Sequence, residues 1–158
     1  MFELTQERTA VAGLPAYEIS NHARRGSESR HNLAYWRYRD YAGVGPGAHG
    51  RRLGMRTVRH RKPENFLTAV ARNGHGLAEE ERLTRDEAAH EALVMGLRLT
   101  DGIEPVALAA RLGVEQLVDE DRVDRLISLG LLERDGPLLR TTASGRLLLD
   151  SILAEIAA

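Results

Sequence analysis

The chain has 158 residues, room for one ordinary domain or two small ones. Hydrophobic residues make up 42% and charged residues 28%, and no apolar run nears the roughly twenty residues that span a bilayer. There is no cysteine, which excludes a disulfide framework, a thiolate metal site and a cysteine nucleophile; with no signal peptide visible, the chain is read as cytoplasmic.

The net charge of −1 conceals two opposite blocks. Residues 24–62 carry eleven Arg and Lys against two acids, Glu28 and Asp40, whereas residues 63–158 carry ten basic and eighteen acidic residues. This shift at Lys62-Pro63 reads as a division of labour between two parts.

Residues 1–12 have helix-forming composition, and Gly13 followed by Pro15 fits the helix end. Tyr17-Glu18-Ile19-Ser20 alternates like a short strand, and residues 21–29 are polar loop. A helix followed by a strand is one piece of an α/β unit, which cannot bury its own sheet. The chain is therefore expected to start within a larger domain. Residues 31–41 predict a short helix and residues 42–44 a strand.

Next comes Gly43-Val44-Gly45-Pro46-Gly47-Ala48-His49-Gly50, with four glycines in eight residues. Glycines allow positive φ or close approach of a ligand, and Pro46 fixes one φ between them. An aromatic run precedes this loop and a cationic run follows it, a setting for a flat, anionic or phosphate-bearing ligand. A tight turn without ligand explains the glycines equally well. A dinucleotide fingerprint does not, because no helical period follows and Glu64 is the only nearby carboxylate.

Residues 50–61 predict a two-stranded ribbon turning at Leu53-Gly54. Pro63 opens a helix over residues 64–73, and residues 73–76 read as linker. Thr84 and Glu87 form a capping box for a helix reaching about Leu99. Helices are expected over 106–112 and 115–129, then a hairpin with its turn at Asp135-Gly136, then a last helix capped by Thr142. Three helices, a β-wing and a helix make a winged-helix pattern. The helix over 115–129 holds Glu115, Asp119, Glu120, Asp121 and Asp124 against Arg122 and Arg125, a poor surface for phosphates spaced at about 1.7 Å per charge.

Three linked motifs then carry a resemblance: Tyr17-Glu18-Ile19-Ser20-Asn21-His22-Ala23; Ser29-Arg30-His31-Asn32-Leu33 with Tyr35-Trp36; and Asp40-Tyr41 with the glycine loop. Together they resemble the radical S-adenosylmethionine family of oxygen-independent coproporphyrinogen III oxidases (HemN/HemW), on its heme-chaperone-like branch. Met95-Gly96-Leu97-Arg98-Leu99, Gly130-Leu131-Leu132-Glu133 and Gly145-Arg146 resemble its C-terminal domain. The implied fold is α+β. Residues 1–74 would be the last segments of a partial, TIM-like α/β barrel, and residues 75–158 a winged-helix-like domain.

The resemblance implies S-adenosylmethionine and a 4Fe-4S cluster as cofactors of the full-length family, held in an N-terminal radical portion by a CxxxCxxC arrangement. This chain has no such ligands, so by itself it is expected to be inactive. The implied partners are that N-terminal portion and a tetrapyrrole, heme or coproporphyrinogen III, with no nucleic acid and no membrane. Gly45, Gly47, Ala48 and His49 are implied at the cofactor, and His49 is also the candidate heme ligand. Arg30 and His31 would meet propionates, Tyr35 and Trp36 would stack on a macrocycle, and Glu18 and Asn21 would reach ligand from a strand end. Against each stands a structural role: loop ordering, surface ion pairs, interlayer packing or buried capping. A free-standing heme-binding or docking module and a winged-helix nucleic-acid binder are the alternatives.

Overall fold

The computed structural model describes residues 1–158, a mixture of helices and two small antiparallel sheets. The chain divides into two compact units: residues 1–38 with 85–158, and residues 39–84. This grouping differs from the expected boundary at 74/75, because the first 38 residues pack with the C-terminal part.

In the larger unit, α1 (Phe2–Val11) buries no residue, and α2 (Arg30–Trp36) is capped by Ser29, whose hydroxyl accepts from the Asn32 N–H. The expected strand over Tyr17–Ser20 does not form. Glu18 makes only an isolated antiparallel bridge to Leu99, and the Tyr17 carbonyl accepts from Thr100. One neighbour offering one rung cannot sustain a ladder.

The core of this unit comes from α4 (Arg85–Gly96), α5 (Pro105–Leu112), α6 (Glu120–Ser128), β4 (Leu132–Asp135), β5 (Leu138–Thr141), α7 (Ala143–Arg146) and α8 (Leu149–Ile156). Leu93, Leu97, Val123, Leu132, Leu139, Ile152 and Ile156 are almost wholly enclosed. The helix expected over 115–129 begins only at Glu120. Asp119 is its cap, accepting from the Arg122 N–H, while Val118 is drawn into a bridge with Ala157. Pro105 and Gly113 bound α5 as expected, the latter at φ 73°. The hairpin pairs Leu132 with Thr141 and Asp135 with Leu138, and Thr142 caps α7. The last helix is broken at Leu147-Leu148 into α7 and α8.

The smaller unit holds β1 (His49–Arg52), β2 (Met55–Arg59), α3 (Pro63–Asn73) and β3 (Leu77–Arg82). The ribbon turning at Leu53-Gly54 forms as predicted. The stretch expected as linker leads instead into a third strand, β3, paired antiparallel to β2. The strand expected over 42–44 is absent; only Tyr41 bridges Arg51. The acidic β3 lies along the basic β2, with Arg56 at 2.6 Å from Glu81 and Arg52 at 2.7 Å from Glu80. The charge boundary in the sequence therefore falls inside the smaller unit, and the two blocks meet as ion pairs across neighbouring strands.

Candidate functional site

The predicted site residues fall into two sets, one in each unit. In the larger unit the organising group is Glu18, which is 0% exposed. Its Oε1 accepts from the Ser20 N–H, the Ser20 hydroxyl and the Asn21 amide, each at 2.7 Å. Its Oε2 accepts from Arg98 at 3.2 Å. Burial alone would raise the Glu18 pKa; the Ser20 hydroxyl and N–H, the Asn21 amide and the Arg98 charge outweigh it and hold the carboxyl below its ordinary range.

Arg98 lies with its guanidinium 4.5 Å from the Trp36 ring centroid, covering that ring by a cation–π contact. Tyr35 meets the Trp36 ring edge-on, with ring centroids 4.8 Å apart. The structure thus gathers Glu18, Asn21, Trp36 and Tyr35 around Arg98. Sequence reading carried Arg98 only as a letter in a motif. The one signal that could have found it is the need of a buried carboxylate for a cation.

Glu18 and Asn21 are committed to each other within the chain. Trp36 offers less free face than expected, because Arg98 occupies it. Arg30 and His31 open α2 and are exposed. Tyr38 is buried at φ 53° and donates to Glu91 at 3.0 Å, so it packs inward.

In the smaller unit the glycines divide by task. A Cβ on Gly43 would strike the His49 carbonyl, and one on Gly50 would lie 2.7 Å from the Thr57 hydroxyl and 2.9 Å from the Gly43 N. These two are small because the chain's own backbone crosses there. Gly45 and Gly47 are glycines for their conformation, with φ of 90° and 72°. Ala48 is held at both backbone groups: its N–H reaches Gly45 O at 3.3 Å, and its carbonyl accepts from Arg59 at 2.9 Å. His49 is exposed on β1, and its imidazole makes no hydrogen bond within the chain.

Donor chemistry can be tested against the implied cofactors. An iron–sulfur cluster needs thiolates, and the sequence has none, nor do three His, Asp or Glu side chains converge. The exposed imidazoles of His31 and His49 are chemically fit for a heme iron. No helix is long and apolar enough to cross a membrane.

Residues 83–148 match the family model described as the HemN C-terminal domain. The mouse mitochondrial radical S-adenosyl methionine domain-containing protein 1 is 37% identical over 98% of this chain and 38% of its own length. The heme chaperone HemW of Bacillus subtilis is 33% identical over 94% of this chain and 39% of its own. The chain is similar to HemN/HemW proteins along almost its whole length. It spans about two fifths of the length of these relatives. Among solved structures, the coproporphyrinogen III oxidase HemN of Escherichia coli, described as a radical SAM enzyme, superposes with a TM-score of 0.67. That match covers 96% of this chain and 39% of the HemN chain at 17% identity, a likeness of fold.

Proposed function

We propose that this chain serves as the C-terminal part of a HemW-like heme chaperone or coproporphyrinogen oxidase-like protein. In that role it contributes tetrapyrrole- or cofactor-binding surface, while the iron–sulfur cluster and the radical chemistry reside on residues it does not contain. The observation that carries this reading is similarity to named heme chaperones along almost the whole chain, 98% of it for the Mycobacterium tuberculosis protein at 34% identity.

On this reading residues 1–74 descend from the last segments of a barrel, and α4 to α8 with the β4–β5 hairpin form a winged-helix-like domain. Residues such as Gly45, Gly47, Ala48 and His49 face the cofactor side. Arg30, His31, Tyr35 and Trp36 face the tetrapyrrole, with Glu18 and Asn21 positioning the segment that leads to them. A docking role for the hairpin is favoured over nucleic-acid binding by its charge pairing. Arg134 is tied to Glu120, and Arg140 lies 2.8 Å from Glu133 and 3.5 Å from Asp135. These arginines cannot neutralise phosphates without first leaving carboxylates.

The test is hemin titration followed by the Soret band. A saturable band with an equivalence near one heme per chain supports the reading. If His31→Ala and His49→Ala both leave the band position and affinity unchanged, axial ligation by these imidazoles is wrong. If no saturable band forms with the chain alone or combined with an N-terminal radical portion, tetrapyrrole handling is wrong. Duplex DNA binding at moderate salt would favour the nucleic-acid alternative.

A further inference from the structure

The helical stretch that closes the chain breaks between α7 and α8, and the break leaves two consecutive leucines outside the core. Leu148 sits at φ −117° and ψ 19°, away from helical values. Leu149, Ile152, Leu153 and Ile156 enter the core, whereas Leu147 and Leu148 stay 54% and 48% exposed. Leu129, 60% exposed, stands on an adjoining segment: the Gly130 carbonyl accepts from the Thr142 hydroxyl at 2.7 Å, which fastens the end of α6 to the start of α7. Exposed leucines scattered singly are ordinary; consecutive ones on a fastened corner call for a partner.

A charge stands at each end of the leucine pair. Arg146 precedes it. Its Nε is shut off from water and has no hydrogen-bond partner. Burial draws its pKa below the ordinary value; the Glu133 charge opposes this and the Arg140 charge adds to it. Glu133 is not available to complete Arg146, since Arg140 holds it at 2.8 Å. Asp150 follows the pair in the first turn of α8, exposed and without a cation from its own chain. In an unbroken helix residues four apart are neighbours, and Arg146 and Asp150 would meet. The break removes that geometry and leaves both charges unmatched. A half-buried guanidinium beside exposed apolar side chains has the make-up of an interface centre.

We infer that this corner is a contact between two copies of the chain, in which Leu147 and Leu148 pack on their own counterparts and Arg146 of each copy pairs with the partner's Asp150. The occupant is a second copy because the patch is its own complement. Cation, leucines and carboxylate, laid against the same order reversed, match in sign at both ends, as a twofold axis requires. The contact uses none of Glu18, His31 or His49, and it stands whether or not hemin binds.

The test is sedimentation equilibrium of the whole 158-residue chain. The weight-average mass is expected to climb from 17.5 kDa toward twice that value between about 10 µM and about 1 mM, as suits a small contact. Leu147→Ser, Asp150→Arg and Arg146→Asp are each expected to weaken association about tenfold or more, since like charges set opposite each other, or leucines lost, oppose docking. Thermal unfolding read by Trp36 fluorescence checks that each variant is folded. The deciding sample mixes Arg146→Asp chains with Asp150→Arg chains. Either variant alone sets like charges together at both ends, whereas the mixed pair restores opposite charges at both ends. Its mass is expected to return to the parent's curve, a recovery that a purely structural role for Arg146 does not produce. If Arg146→Asp fails to fold, the exposed positions Leu147 and Asp150 decide the matter alone. A parent chain that stays at 17.5 kDa up to about 1 mM overturns the inference, and leaves the corner to a partner of another kind. So does a folded Leu147→Ser or Asp150→Arg chain that associates like the parent, or a mixture of the two folded charge variants that stays monomeric.

Discussion

Replacing Glu18 by Gln tests the tie between the segment 15–23 and the end of α4. The side chain keeps its shape but loses its charge. With its oxygen toward Ser20 and Asn21, the new amide nitrogen faces the Arg98 guanidinium, donor against donor. Flipped, it faces the three donors that now sit at 2.7 Å. A hydrogen bond to a charged acceptor contributes about 1.5–3 kcal/mol and a neutral one about 0.5–1.5 kcal/mol. Breaking a buried pair costs about 3–5 kcal/mol when one charge is stranded. Arg98 is 30% exposed at its side chain, so water recovers part of that. The expected loss is about 3 kcal/mol, or roughly 6–12 °C in Tm for a chain of this size.

The assay is urea and thermal unfolding read by the fluorescence of Trp36, the only tryptophan, whose ring Arg98 covers. The pH dependence supplies a second reading. The folded pKa of Glu18 lies below the ordinary value of 4.5. Its contribution is therefore complete above the unfolded pKa and drains away as pH falls through the lowered folded value. The gap between parent and Glu18→Gln should be widest at neutral pH and shrink under acid. A loss under about 1 kcal/mol at pH 7, or a gap that stays constant as pH falls, refutes the account.

Other outcomes follow from packing. Gly145→Ala places a methyl against the Leu131 carbonyl, which β4 and the Thr142 cap hold in place; a loss of about 3 kcal/mol or more in urea unfolding is expected. Leu139→Ala empties a fully enclosed position between the hairpin and the helices, at a cost of about 3–5 kcal/mol by the same measurement. Glu81→Gln breaks an exposed ion pair to Arg56 and should change stability by less than about 0.5 kcal/mol. His49→Ala should leave Tm unchanged within about 1 °C, because the imidazole is exposed and supports nothing in its own unit.

Much of the chain's local structure was legible in its residues. Pro105 and Gly113 bracket α5, Leu53-Gly54 turns the ribbon, and Thr142 caps the helix after the hairpin, because caps and turns are fixed by neighbours a few positions away. β3 was not legible: Ala78 to Arg82 has the composition of a solvated stretch and becomes a strand only because β2 offers it a ladder and arginines. The strand expected at Tyr17–Ser20 failed for the converse reason, a suitable pattern with too little beside it. Within the site, the glycine motif was visible but its meaning was not. Spacing cannot tell a glycine that admits a ligand from Gly43 and Gly50, which admit another stretch of the same backbone.

By itself the sequence determined several caps and turns, the absence of thiolate ligands, and the likeness to HemN and HemW. Those depend on residue identity and short-range spacing. Only the tertiary structure decided that Glu18 is satisfied by Arg98, eighty positions along the chain. A polar group's partners are chosen by proximity in space after folding, and proximity between residues so far apart is set by packing rather than by order in the chain.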